Sequence, residues 1–187
     1  PSTAHWLKAG AIIINHRFNP HAFIEEDVPH QIHTRDVDYI TGTESGIYLE
    51  DTWQPADMLK LNYGIRLSMF SAGKVTYINP EPRLSIAWRT APDFAVKLSY
   101  ASMNQYIHML TNTGLSLPTD LWVPATDRVK PQASSQVAAG IVKDLTAKNI
   151  SFSLEGYYKT MNNVLAYREG ASFMDLNEPE NNDAENW

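Results

Sequence analysis

Residues 59 to 70 read Leu59-Lys60-Leu61-Asn62-Tyr63-Gly64-Ile65-Arg66-Leu67-Ser68-Met69-Phe70, and this alternation of apolar and polar side chains decides the fold. Successive side chains of a β-strand point to opposite sides, so every second residue lines an apolar face and the others line a polar face. An ordinary strand has about 5 to 6 residues, whereas a tilted strand needs roughly 9 to 11 to cross a bilayer. The pattern therefore predicts one wall of a membrane β-barrel.

Composition excludes several other classes of protein. No apolar run approaches the roughly 18 residues of a membrane-spanning helix, which excludes a helical membrane protein. The mean hydropathy of -0.33 still allows a barrel, because each strand turns only half of its side chains toward lipid. The absence of cysteine excludes disulfides, thiolate metal sites and cysteine nucleophiles. The net charge of -6 argues against nucleic acid as a partner.

Other segments of the chain repeat this two-residue alternation. The clearest are 83 to 89, 94 to 101 and 150 to 157, and segments near 6 to 17, 46 to 54 and 136 to 145 are less regular. Asp51 interrupts the apolar face of one segment, and Ile12 and Ile14 lie on the polar face of another. We expect an all-β protein, an antiparallel up-and-down meander of about seven long strands that is part of a larger outer-membrane β-barrel.

The predicted connections fall into two groups. Residues 54–57, 91–93 and 146–149 are short polar turns, whereas 18–45, 71–80, 109–135 and 166–187 are longer stretches. Outer-membrane barrels have short turns at the periplasmic end and long loops at the extracellular end. The connections therefore predict an orientation, with the long loops outside the cell.

Several motifs also resemble a known family. In chain order they are His5-Trp6-Leu7-Lys8-Ala9-Gly10, Tyr48-Leu49-Glu50-Asp51-Thr52-Trp53, residues 61–67, Glu81-Pro82-Arg83-Leu84-Ser85 and Leu117-Pro118-Thr119-Asp120-Leu121-Trp122-Val123-Pro124. Together they are similar to the barrel region of TonB-dependent outer-membrane receptors, especially those of Bacteroidetes. The resemblance implies a nutrient transporter of the bacterial outer membrane, with a roughly 22-stranded barrel around a plug domain and with force relayed by the TonB complex.

The chain departs from that pattern in what it contains. No TonB box, plug domain or closing C-terminal strand is recognisable, so residues 1–187 are expected to be a partial β-barrel segment. The expected partners are the TonB complex and a plug domain in the parent protein, the lipid bilayer, and a small-molecule, glycan or metal-chelate substrate. The predicted function is transport, with long loops contributing to substrate capture.

The stretch 109–135 is the main candidate for substrate binding. It combines an aromatic side chain with charged groups, and ligand sites pair apolar contact with a few placed polar groups. The candidate residues are Tyr106, His108, Asp120, Trp122 and Arg128. The alternative is structural, with three prolines stiffening a lid and Trp122 forming a small core of its own.

Two further possibilities stay open at this stage. His30 and His33 are weak candidates for a metal site, and no cofactor or catalytic constellation is indicated, so an enzyme is not expected. The alternative to the membrane barrel is a soluble all-β ligand-binding module, either a sandwich or a small barrel. The two differ in one observable: a sandwich would bury the face that carries Leu61, Tyr63 and Ile65 beneath protein.

Overall fold

The computed structural model describes residues 4–18, 39–110, 121–145 and 148–165, which form nine β-strands. Seven form one antiparallel sheet in the order β1-β2-β3-β4-β5-β8-β9, and β6 and β7 form a separate hairpin. This confirms the predicted all-β meander. No helix in the described ranges has the length and apolar character to cross a membrane. The strands are β1 His5–Phe18, β2 Ile40–Ala56, β3 Leu59–Ala72, β4 Val75–Ala91, β5 Phe94–Gln105, β6 Ile107–Leu110, β7 Leu121–Pro124, β8 Gln132–Leu145 and β9 Ile150–Asn162.

The strand register sorts the large sheet into an apolar face and a polar face. Ile47 pairs with Leu67 and Leu67 pairs with Pro80, so apolar side chains of neighbouring strands lie side by side. Leu7 is 69% exposed and Leu154 is 71% exposed, although both lie on this apolar face. No described residue packs a second layer over it. A sandwich, which would bury this face, is therefore not what the described residues build.

The apolar face forms a band whose edges slope across the register. The edge nearer residues 73–74, which connect β3 and β4, is the upper edge, and it runs from Ile13 on β1 to Tyr158 on β9. Tyr158 lies in the same row of paired residues as Leu7, so the upper edge is six residues lower on β9 than on β1. The lower edge, at the opposite end of the strands, runs from Leu7 on β1 to Ile150 on β9 and falls by eight residues. With about 3.4 Å per residue and about 4.8 Å per strand, both edges slope by roughly 40°. Strands of outer-membrane barrels tilt by this amount.

The same geometry gives the height of the band. On β3 the apolar side chains run from Leu59 to Met69. These residues span about 34 Å along the strand, which becomes about 26 Å after a tilt of roughly 40°. The apolar band of outer-membrane barrels is about 25 Å tall. The described sheet therefore has the dimensions of a membrane-crossing wall.

One carboxylate lies on the apolar face, as the sequence pattern indicated. Asp51 Oδ2 is 2.7 Å from His5 Nδ1 and accepts a hydrogen bond of 2.7 Å from the Tyr63 hydroxyl. The His5 ring also stacks on Trp53, with ring centroids 5.5 Å apart. Neighbouring side chains thus satisfy Asp51 Oδ2, which would otherwise be costly at an apolar surface, whereas Oδ1 has no hydrogen-bond partner among the described residues.

The expected long loop at 71–80 is wrong. β3 continues to Ala72 and β4 begins at Val75, so only Gly73 and Lys74 form the connection. Gly73 has φ of 58°, a backbone conformation that glycine adopts without steric cost. Pro80 and Pro82 lie within β4, in the part of the strand that does not pair with β5, because that pairing begins at Arg83. An edge without a partner strand tolerates prolines, which have no N–H to donate.

A charge on the apolar face provides a direct test of this geometry. Ile65 lies near the middle of the band on β3, so Ile65→Arg should destabilise the intact barrel in a bilayer by about 2 to 4 kcal/mol. Ser85→Arg is the matched control, because Ser85 is exposed on the polar face. The measurement is the free energy of unfolding by urea in liposomes. Equal losses for the two variants would contradict the assignment of faces.

Candidate functional site

Charged side chains on the polar face pair with each other toward the end of the sheet that carries the Gly73–Lys74 turn. Arg66 Nη2 is 3.3 Å from Glu44 Oε1, and Arg66 Nε is 3.8 Å from Glu81 Oε2. Further down the face, Arg83 Nη1 is 3.0 Å from Glu50 Oε1. These pairs join β2, β3 and β4, and they place two arginines against three glutamates in this half of the polar face.

Glu81 is the most deeply buried of these acids, at 3% exposure. Its Oε1 accepts a hydrogen bond of 2.9 Å from the Ser68 hydroxyl and one of 3.1 Å from the backbone N–H of Asn104. The hydrogen bond from Asn104 lies in the part of β5 that no longer pairs with β4. Hydrogen bonds to an ionised carboxylate are stronger than neutral ones, so Glu81 replaces the missing strand ladder with a side-chain anchor.

Tyr106, which follows β5, docks onto this anchor. Its hydroxyl is 2.7 Å from Ser68 Oγ and accepts a hydrogen bond of 3.0 Å from Asn79 Nδ2. Because the single hydroxyl proton of Ser68 is directed at Glu81, the Tyr106 hydroxyl is the donor to Ser68. The Tyr106 ring stacks on Phe70 with centroids 5.2 Å apart, and both rings are buried. The chain therefore turns inward over the polar face at this residue.

The β6–β7 hairpin continues from Tyr106 and is tied to the same face. Ala125 N donates a hydrogen bond of 2.7 Å to the Tyr106 carbonyl, and the Tyr77 hydroxyl donates one of 2.6 Å to the Thr126 carbonyl. Phe70, Tyr106 and Ala125 form a small buried cluster between hairpin and sheet. The stretch 109–135, expected to be a loop, thus includes the end of β6, all of β7 and the start of β8, and the β6–β7 hairpin packs over the polar face.

The two sides of the hairpin differ in exposure. His108 pairs with Val123, and both are buried, at 3% and 6% exposure. Met109 pairs with Trp122, and these side chains are 46% and 54% exposed. Because neighbouring residues of a strand point to opposite sides, Trp122 and Met109 point away from the buried side of the hairpin. Met109 and Trp122 therefore form an apolar platform on the exposed side of the hairpin.

The predicted site residues take different positions around the hairpin. Trp122 and Arg128 are exposed, whereas Tyr106 and His108 lie beneath the hairpin surface. Asp120 lies outside the described residues, as do His30 and His33. Within the described ranges no three histidine or acidic side chains form a group that could hold a metal ion. Ligand contact at the candidate residues stays a prediction.

Sequence reasoning did not identify the anchoring residues Ser68, Asn79 and Glu81. One signal was present, since Phe70 and Tyr77 are aromatic residues at polar-face positions of β3 and β4. An aromatic ring on a wet face needs a partner that covers it. In this protein the partners are Tyr106 and Ala125, which pack against Phe70, and Thr126, which accepts a hydrogen bond from Tyr77.

The Tyr106 hydroxyl gives a test of the anchor. Tyr106→Phe retains the ring stacking but removes two hydrogen bonds, so docking of the hairpin should weaken by about 1 to 3 kcal/mol. The measurement is hydrogen-exchange protection of the β7 amides in the intact folded barrel. Tyr157→Phe is the control, because Tyr157 is 72% exposed on β9. Unchanged β7 protection in Tyr106→Phe would show that stacking alone holds the hairpin.

His108 makes the hairpin sensitive to acid. Burial lowers the pKa of the His108 imidazole, and its Nε2 has no hydrogen-bond partner among the described residues. The docked hairpin thus favours neutral imidazole: its stabilisation is complete above the unfolded pKa of about 6.5 and is lost as pH falls toward the lowered value. We expect β7 protection factors to decrease between about pH 7.5 and about pH 5. His108→Gln should remove this dependence, and an identical pH profile in that variant would refute it.

Comparison with known proteins identifies the family. A family model described as TonB dependent receptor-like, beta-barrel, matches residues 12–185. No curated protein and no solved structure matches the chain. The match begins within β1 and extends past the end of β9, so it includes β2 to β9 and the hairpin over the polar face. The chain therefore belongs to the TonB-dependent receptor family, whose members are outer-membrane transporters and not enzymes.

Proposed function

We propose that this chain is one section of a larger nutrient-transporter barrel of the Bacteroidetes type. The observation that carries this proposal is the sloping apolar band, which has the height and tilt of a lipid-facing wall. The described sheet has β1 and β9 as its two edges. An open strand edge in hydrocarbon leaves backbone groups unsatisfied, so further strands are required to close the wall.

The surroundings of the sheet follow from this assignment. The apolar face contacts the lipid of the outer membrane, and the polar face lines the lumen. In the family, a plug domain occupies the lumen and the TonB complex supplies the force for transport. The lumenal face is polar and carries charges of both signs, which suits contact with a folded domain and with water.

The hairpin then acts in substrate capture. It lies on the lumenal side of β3 and β4, and its Trp122–Met109 pair points away from the wall. The anchor of Tyr106 on Ser68 holds this platform in place before a ligand arrives, which lowers the entropic cost of binding. An exposed indole in a segment that also carries the exposed, charged Arg128 suits a small molecule, a glycan or a metal chelate.

Replacement of Trp122 tests this role. Trp122→Ala should weaken binding by at least about 1 kcal/mol, or roughly fivefold in Kd, without lowering the amount of folded receptor in the outer membrane. The probe is the ligand that supports receptor-dependent growth in a panel of glycans and ferric chelates. Its Kd is then measured on the purified receptor.

Trp88→Ala is the matched control. Trp88 has the same 54% exposure as Trp122, but it lies on the apolar face of β4. Its replacement should leave the Kd unchanged. Equal Kd values for wild type and Trp122→Ala would remove the hairpin from substrate capture, and loss of folded receptor would assign Trp122 to a structural core.

A further inference from the structure

The upper edge of the apolar band is indented at Ser45. A depression of about 280 Å³ lies there on the apolar face, between β1 and β4. Ser45 is the small member of its row, because the residues in line with it on the neighbouring strands are Ile13, Met69 and Ile78. Leu67 lines the depression from below. The wall thus contains a mostly apolar groove on the side that we assign to lipid.

The next row above the groove consists only of hydrogen-bonding side chains. Its four members are Asn15, Thr43, Ser71 and Thr76, which pair across β1 to β4 and span about 14 Å. Thr43 Oγ1 donates a hydrogen bond of 3.0 Å to Asn15 Oδ1, and Ser71 Oγ lies 3.1 Å from Thr76 Oγ1. Each bond uses one hydroxyl proton, so the Asn15 amide and one hydroxyl still have protons to donate.

This Asn15 row lies at the depth of lipid head groups. Asn15 is two residues above Ile13, which is about 7 Å along the strand and about 5 Å along the membrane normal after a tilt of roughly 40°. The head-group layer on each side of a bilayer is about 5 to 8 Å thick. The groove therefore lies in the hydrocarbon and the Asn15 row lies in the layer above it, which is the arrangement that an amphiphile requires.

Arg17 adds a positive charge two residues further up β1. Its guanidinium lies over the Tyr39 ring, with Cζ 3.7 Å from the ring centroid, and it makes no ion pair with a described residue. Stacking uses the planar face of the guanidinium, so its N–H groups stay available for a phosphate. On β1 to β4 no acidic side chain lies on this face at or above the groove. The surface is therefore complementary to negative charge.

The head group contributes more to selectivity than the hydrocarbon does. In a bilayer the surrounding lipid is as apolar as the groove, so a bound acyl chain gains only from closer packing. A phosphate at Arg17 instead gains charge-assisted hydrogen bonds. The Asn15 row is also wide, and its length of about 14 Å suits a sugar head group with several hydroxyls better than a single phosphodiester.

We propose that this surface, the Ser45–Arg17 site, binds one phosphorylated glycolipid of the extracellular leaflet. This inference rests on the proposed function, in which the apolar face contacts lipid and the end with the long connection between β1 and β2 lies outside the cell. One acyl chain lies in the groove at Ser45, the sugar hydroxyls contact the Asn15 row, and the phosphate lies at Arg17.

Lipid titration of the intact, delipidated receptor tests the site. The probe is phosphorylated lipid A, a disaccharide with several acyl chains, and its Kd is measured by native mass spectrometry. Ser45→Phe fills the groove and should raise the Kd by at least about tenfold. Ala139→Phe is the matched control, because Ala139 is exposed on the same face of β8 outside the groove. Equal Kd values for the two variants overturn the proposal.

Removal of charge supplies the second arm of the experiment. Arg17→Gln should raise the Kd of phosphorylated lipid A by at least about tenfold, whereas the Kd of the dephosphorylated form should change by less than about twofold. Arg89→Gln removes an exposed arginine at the opposite end of the sheet and should leave both values unchanged. An equal effect of Arg17→Gln on the two lipids overturns the proposal.

Other occupants give different results. Tighter binding of phosphatidylglycerol than of phosphorylated lipid A would make this a phospholipid site. A Ser45→Phe variant that changes only self-association of the receptor would make the groove a contact between two copies. Either result overturns the proposal.

A nitroxide at Ile65 separates the site from the proposed function. In liposomes it should collide with oxygen in preference to a water-soluble nickel chelate, because Ile65 lies near the middle of the apolar band. If it does so while the receptor binds no lipid A, the Ser45–Arg17 site alone is wrong. If the nickel chelate is preferred, the membrane wall and the site are both wrong.

Discussion

The hydrogen-bonded register between neighbouring strands is the constraint on which the rest of this structure depends. A slip of one residue would move every side chain of a strand to the opposite face. With the observed register, the apolar faces of all seven strands lie on the same side of the sheet. The slope of the apolar band follows from strand tilt. When strands are tilted, the rows of paired residues run obliquely to the membrane plane, so residues at one depth belong to different rows on successive strands.

The same register assembles the anchor on the polar face. Arg66, Ser68 and Glu81 come from adjacent strands and converge because β3 and β4 pair in one alignment. A buried carboxylate is costly unless its oxygens are satisfied, and Glu81 has both a hydroxyl and a backbone N–H. These hydrogen bonds hold the chain in place at Asn104, just beyond the last paired residues of β4 and β5.

The polar face differs along the length of its strands. Near Ser68 and Phe70 it is covered by a part of this chain, because Tyr106 and Ala125 pack there and lead into the β6–β7 hairpin. Further from the Gly73–Lys74 turn, Lys60 and Lys97 are exposed, and the described residues leave this part of the face uncovered. The face therefore has one part that the chain itself covers and one part that is open.

The sequence by itself determined most of the seven strands of the large sheet and their faces, because a two-residue period is a local property of an extended chain. Its motifs indicated the family. It misassigned residues 71–80, where β4 extends past the end of its pairing with β5 and carries Pro80 at a free edge. Whether such an edge is free depends on where the next strand stops pairing, which is a tertiary fact.

The candidate site near Trp122 stays a prediction, and the sequence did not indicate how its hairpin is held. The contact of Tyr106 with Ser68 joins residues 38 positions apart, and no local pattern records that the chain turns over the polar face after β5. The positions of Lys60 and Lys97 on either side of Ala87 likewise depend on register over two strand pairs. Sequence determined which side chains are apolar, polar or charged on each strand, whereas tertiary structure decided which of them meet, because register and loop path are set by contacts between distant segments.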